Sequence, residues 1–129
     1  MELIQLTKAE EQVMQYVWKL KETIVKDVVD QFDDPKPAYT TVATVLTVLE
    51  KKGFVSRKKI GNTNLFFPAV SKADYTKFQF SSLLKNYFNG SFPKMATFFA
   101  RENQLDIADL EAILKEAEQE LNNDNQKEG

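Results

Sequence analysis

Cysteine and histidine are both missing from this 129-residue chain. Without cysteine no disulfide framework, thiolate nucleophile or thiolate metal site can form, and a reducing interior is compatible with that absence. Without histidine the commonest general base and the commonest metal ligand are gone. Glycine is scarce, at four residues, and Gly61-Asn62-Thr63 lacks the flanking glycine and lysine of a phosphate-cradling loop. The adjacent carboxylates Asp33-Asp34 sit in a proline-rich turn, where a solvated loop explains them. Catalysis is therefore the least expected class, and no catalytic residue, metal site or cofactor is assigned. Long apolar runs are lacking too. No stretch approaches the ~18 residues of a membrane span, and Met1-Glu2-Leu3-Ile4-Gln5 has neither the basic nor the apolar region of a secretion signal. The expectation is a soluble, cytoplasmic protein with no membrane insertion.

What remains is ordinary for a folded domain: 43% hydrophobic and 28% charged residues exclude wholesale disorder. The net charge of −2 argues against a nucleic-acid partner until it is divided along the chain. Residues 1–72 hold eleven Lys or Arg against nine Asp or Glu, whereas residues 73–129 hold six against ten. Lys51, Lys52, Arg57, Lys58 and Lys59 fall within nine residues that contain no acid. Such asymmetry points to an anionic partner for the first half.

Leu6-Thr7-Lys8-Ala9-Glu10 carries a capping box, in which Thr7 and Glu10 satisfy each other's backbone N–H. A helix follows to about Leu20, with Val13, Met14, Val17 and Trp18 broadly on one side. A second helix is expected from near Thr23, where Val25, Val28, Val29 and Phe32 repeat at i, i+3, i+4 and i+7. Asp33-Asp34-Pro35-Lys36-Pro37 ends it. A third helix begins near Ala38 or Tyr39, buries Val42, Val45, Leu46 and Leu49, and stops at Gly53. Phe54 to Lys59 and Asn64 to Pro68 then read as a β-hairpin turning at Gly61-Asn62.

The outward side of the third helix carries Thr40, Thr44, Thr47 and Lys51. Threonine is a poor choice for an exposed helical face on propensity grounds. One reading is a plain solvated face. The other is a helix in the DNA major groove, where a hydroxyl meets a base edge and a methyl meets thymine. The basic hairpin favours the second, because three short helices followed by such a hairpin describe a winged helix-turn-helix. On that reading Thr40, Thr41, Thr44 and Thr47 face base edges, with Thr41 alternatively capping inward. Lys51, Arg57, Lys58 and Lys59 meet phosphates, and Asn62 or Thr63 at the wing tip meets the sugar-phosphate or the minor groove.

Beyond Val70 the character changes. Capping signatures at Ser71, Ser91 and Asp106 start three more helices, and Ile107, Leu110, Leu114, Ala117 and Leu121 step as a short heptad seam. Three short helices cannot hide so many aromatics within themselves. A second copy of the chain is the simplest cover, with Tyr75, Phe78, Leu84, Tyr87, Phe88, Phe92, Phe99, Leu110, Leu114 and Leu121 at the contact. The alternative is that these helices fold back onto the first half. The expected domains are 1–70 (winged helix), 71–122 (helical dimerisation) and 123–129 (flexible tail).

The fragments Leu6-Thr7-Lys8-Ala9-Glu10, Tyr39-Thr40-Thr41-Val42, Leu49-Glu50-Lys51-Lys52-Gly53-Phe54-Val55, Phe67-Pro68-Ala69-Val70-Ser71 and Phe88-Asn89-Gly90-Ser91 follow one another in a specific order. Across residues 6 to 121 the chain thereby resembles the penicillinase-repressor family, the BlaI, MecI and CopY type of regulators. The resemblance implies a mainly α fold with a small β-hairpin and a homodimeric repressor on palindromic double-stranded operator DNA. It also implies a membrane-bound sensor protease acting upstream, since β-lactam-responsive members are inactivated by cleavage in the C-terminal region. That region corresponds here to residues 96–100, where no cleavable bond is recognisable. Two positions depart from the family pattern: Ala43 and Val48 stand where basic residues are usual. Cysteine-based metal sensing, as in the copper-responsive members, is excluded. A winged-helix module that binds protein instead of specific DNA is the competing expectation, since Val48 would extend an apolar surface.

Overall fold

The computed structural model describes the backbone of residues 3–128 and the side chains as far as residue 125. Met1, Glu2 and Gly129, the extremities of the expected first domain and tail, lie outside the described residues. In chain order the elements are α1 (Lys8–Leu20), α2 (Val25–Gln31), α3 (Tyr39–Lys51), β1 (Val55–Ile60), β2 (Thr63–Pro68), α4 (Lys72–Phe88), α5 (Phe92–Glu102) and α6 (Ile107–Glu128). They form two compact units, Met1–Phe80 and Ser81–Gly129.

α1 starts where its capping box sets it. Thr7 Oγ1 accepts from the Glu10 N–H at 3.2 Å, and Glu10 Oε1 accepts from the Thr7 N–H at 2.9 Å. Glu10 is nevertheless buried, because Lys52 at the end of α3 reaches both its oxygens at 2.7 and 2.8 Å. Burial alone would raise the Glu10 carboxyl pKa. The bond from Lys52, the Thr7 N–H and the Lys52 charge outweigh it and hold the group below its ordinary value.

α2 begins two residues later than expected, at Val25. Thr23 is withheld from it because its backbone is already paired. Its N–H donates to the Phe66 carbonyl at 2.9 Å, and its carbonyl accepts from the Phe66 N–H at 2.8 Å. The hairpin is thus tied to the helices through its second strand. Its register runs from Val55↔Pro68 to Ile60↔Thr63, leaving Gly61-Asn62 as a two-residue turn. Gly61 supplies the positive φ of 61° that the first place of a type II′ turn demands.

α3 sinks Val42, Leu46 and Leu49 into the core at 1% exposure or less, whereas Val45, expected with them, is only half-buried against it. At its end the Gly53 N–H donates to the Glu50 carbonyl and the Phe54 N–H to the Leu49 carbonyl, at 3.0 and 2.9 Å. These are the two bonds of a Schellman stop, which needs the left-handed φ of 84° found at Gly53. The stop drops Phe54, fully buried, into the same core as Leu49.

The first turns of α4 belong to this core as well. Tyr75 is buried with its ring edge-on to Phe54 at 5.4 Å and 5.9 Å from Trp18, and its hydroxyl accepts from the Leu6 N–H at 3.0 Å. Trp18 Nε1 in turn donates to the Val70 carbonyl at 2.9 Å. Tyr75 was expected at the contact between two copies; it is instead an internal core residue, and Phe78 packs half-buried beside it. These two rings carry the first unit to Phe80, against an expected domain boundary at residue 70.

In the second unit Ser91 accepts from the Lys94 N–H, and Asp106 and Asp109 cap each other reciprocally at 2.9 and 3.0 Å. Asn89 and Gly90, at φ 51° and 77°, end α4. α6 does not stop near Leu121 but continues as helix to Glu128, through the segment expected as a flexible tail. Among the described residues of this unit Ala100 is the one that is buried, while Tyr87 and Leu114 stand 75% and 67% exposed.

Replacing Tyr75 by Phe strands the buried Leu6 N–H, and urea unfolding should show a loss of about 1–2 kcal/mol with an unchanged m-value. Glu10 gives an acid signature. Because its folded pKa is depressed, its contribution is complete above the ordinary carboxyl value of 4.5 and fades as pH falls through the folded value. The difference in melting temperature between wild type and Glu10→Gln should therefore be largest near neutrality and shrink on acidification below 4.5. A difference independent of pH would contradict the Lys52 pairing.

Candidate nucleic-acid interface

Burying Val42, Leu46 and Leu49 fixes the rotation of α3, so the opposite stripe must emerge. Thr40, Thr44, Thr47 and Lys51 recur at i, i+4, i+7 and i+11 along it. Thr40, Thr41, Thr44 and Lys51 are exposed, and Thr47 is half-buried. Thr41 makes no inward cap: the helix starts after Ala38, with no side-chain cap bond. Thr47 differs from the other threonines. Its hydroxyl donates to the Ala43 carbonyl at 3.0 Å and accepts from Arg57 Nη2 at 3.3 Å. Its one proton is spent, so only an acceptor lone pair and the methyl remain for a ligand.

Strand alternation separates the three cations of the hairpin. Arg57 shares a face with Phe66, its guanidinium carbon 4.8 Å from the ring centroid, and turns toward α3. There it grips both oxygens of Glu50, through Nε at 3.0 Å and Nη2 at 2.9 Å. Lys58 points to the other face, over the Phe67 ring, and pairs with Glu22 at 2.9 Å. Lys59 and Lys51 are exposed and hold no carboxylate among the described residues. Two of the four cations expected to meet phosphate are thus already partnered within the chain.

Between α3, the start of α2 and the hairpin lies a notch of about 370 Å³. It brings together Thr47, Arg57, Asn62 and Thr63 from the expected set, and adds Lys26 and Tyr39, which sequence reading did not assign. Tyr39 stands one helical turn before Ala43 and Lys26 in the first turn of α2, signals readable only once α2 is known to face α3. Ala43 lines the notch without filling it. No group of His, Cys, Asp or Glu able to hold a metal exists among the described residues.

The family model described as penicillinase repressor matches residues 6–119. The chain is 28% identical over 116 residues to the penicillinase repressor of Bacillus licheniformis, covering 87% of this chain and 91% of that one. It is 23% identical over 110 residues to the methicillin resistance regulatory protein MecI of Staphylococcus aureus, covering 84% and 89%. Among solved structures it resembles the DNA-binding domain of the repressor BlaI, with TM-score 0.50 and 27% identity, over 57% of this chain and 92% of that domain.

The Glu50–Arg57 pair is about one-third exposed on both sides, so its contribution to folding is small. Glu50→Ala should lower the unfolding free energy by no more than about 1 kcal/mol in urea titration. A loss above about 2 kcal/mol would make the pair a structural strut and not a feature of the interface.

Proposed function

The chain belongs to the penicillinase repressor family, and from that premise we propose that it represses transcription by binding a specific operator in double-stranded DNA. The observation that carries this reading is the hydroxyl-lined stripe of α3 standing free beside the wing notch. Thr40, Thr41 and Thr44 face base edges in the major groove. Lys51 and Lys59 lie against phosphates, and Asn62 and Thr63 at the turn follow the backbone or the minor groove. The uncapped first turn of α3 after Ala38 leaves N–H groups for a further phosphate. Val48, which would widen an apolar surface for a protein partner, is half-buried, so the stripe suits DNA better than protein.

The second unit supports a homodimer. Tyr87, Phe92, Phe99, Leu114 and Leu121 are exposed, with Leu84, Phe88 and Leu110 half-buried beside them. An unaided surface of that kind favours self-association, and a twofold pair suits a palindromic operator. An upstream sensor protease belongs to the same proposal. The stretch 96–100 lies inside α5, so cleavage there would require the helix to open first.

Selection from a random duplex pool by the purified protein should recover a palindrome. Its half-sites should be centred one helical turn apart, roughly 34–36 Å, or a multiple of it. Affinity for that duplex should fall between 50 and 200 mM salt, and Thr44→Ala should weaken it by about 1 kcal/mol, the worth of one neutral hydrogen bond. Recovery of no enriched sequence, or binding insensitive to salt, would overturn the reading.

A further inference from the structure

The pairing of Arg57 has a consequence for how the interface reads DNA. A cation contributes to salt-dependent affinity by displacing counterions from phosphate, and it does so as a free charge. Arg57 is not free. Glu50 takes its Nε and one Nη2 proton at 3.0 and 2.9 Å, Thr47 takes the other Nη2 proton at 3.3 Å, and Phe66 lies under the plane at 4.8 Å. Four contacts from α3 and β2 orient the guanidinium while one carboxylate offsets its charge. The two N–H donors of Nη1 remain without a partner among the described residues. They belong to a group that lines the notch together with Asn62 and Thr63. A guanidinium oriented by a carboxylate that offsets its charge, with one free edge, is a better directional hydrogen-bond donor than electrostatic anchor.

Resting on the DNA-binding reading, we propose that Glu50 is a specificity-determining positioning residue. It withdraws Arg57 from indiscriminate phosphate binding and holds it as a fixed donor toward the operator. A carboxylate beside the recognition helix also repels phosphate, so its presence depresses affinity for every duplex, and only a correctly docked one recovers the loss through the Nη1 donors. The same carboxylate helps to keep a protein of pI near 5.2 from coating DNA at random.

Glu50→Gln removes the charge and keeps one acceptor, since the glutamine amide oxygen still accepts from one of the two Arg57 donors that the carboxylate holds. Binding of wild type, Glu50→Gln and the double variant Glu50→Gln with Arg57→Ala is measured on two probes across 50–200 mM salt. One probe is the duplex recovered by selection, the other a duplex of equal length and arbitrary sequence. For Glu50→Gln the expected result is tighter binding to the arbitrary duplex, a log–log salt slope steeper by about 0.9, and reduced discrimination between the probes. The double variant removes the neutral pair as a unit, and should weaken binding to the selected duplex while leaving the slope on the arbitrary one as in wild type. The inference is overturned if the double variant flattens that slope by about 0.9 relative to wild type while Glu50→Gln changes nothing, since Arg57 is then an ordinary phosphate contact. Weaker binding of Glu50→Gln to the arbitrary duplex would also overturn it. The double variant keeps the test decisive should Glu50→Gln fold poorly. If wild type binds neither probe, the DNA-binding reading itself is what has failed.

Discussion

Val42, Leu46 and Leu49 can be buried on only one side of α3, and every functional feature of the first unit depends on that rotation. Turning the helix by one residue moves its surface by about 100°, enough to bury Thr44 and expose Leu46. The core prevents this, because each large side chain sunk there would cost several kcal/mol to withdraw. The Schellman stop at Gly53 then hands the chain to Phe54 and sets where β1 departs. Lys52 clamps the same helix end to Glu10 of α1. The threonine stripe and the wing are therefore not two independent features. One buried stripe and one glycine position both.

Much of this was legible in the sequence, because it follows from short-range physics. Thr7–Glu10, Ser91 and Asp106–Asp109 are caps between residues three apart, and all are made. The hairpin turn was readable from Gly61-Asn62, and the α3 core stripe from its period. What failed to show involved partners far apart in the chain. Nothing near Thr23 announces that its backbone pairs with Phe66 and not with a helix. Tyr75 looks like another surface aromatic of the second half until its hydroxyl is seen on Leu6, sixty-nine residues away. Glu50 carries no signal of its own in the sequence, since its partner Arg57 reaches it only once the wing folds back beside α3. The family resemblance ordered the fragments, but the pairing of the cations had to come from geometry.

The two units pose opposite physical problems. The first closes a core around Met14, Val17, Leu46 and Phe54 and leaves a polar, hydroxyl-bearing face outside. The second leaves most of its large side chains in water, with capped helices but almost nothing buried. Helix caps contribute about 1 kcal/mol each and cannot replace a core. A second copy of the chain would supply the missing burial. On the proposed reading it would also supply a second recognition helix and so join association to DNA reading.

The most direct measurement is amide chemical-shift mapping of the isotopically labelled protein titrated with its selected duplex. The expected result is a contiguous set of perturbed amides on the outward stripe of α3, from Thr40 to Lys51, and at the wing turn around Asn62 and Thr63. Amides of the buried Val42, Leu46 and Leu49 turns should move less than their exposed neighbours. Perturbations centred on any other surface of the first unit, with the α3 stripe unmoved by saturating duplex, would contradict the assignment of that stripe as the reading surface.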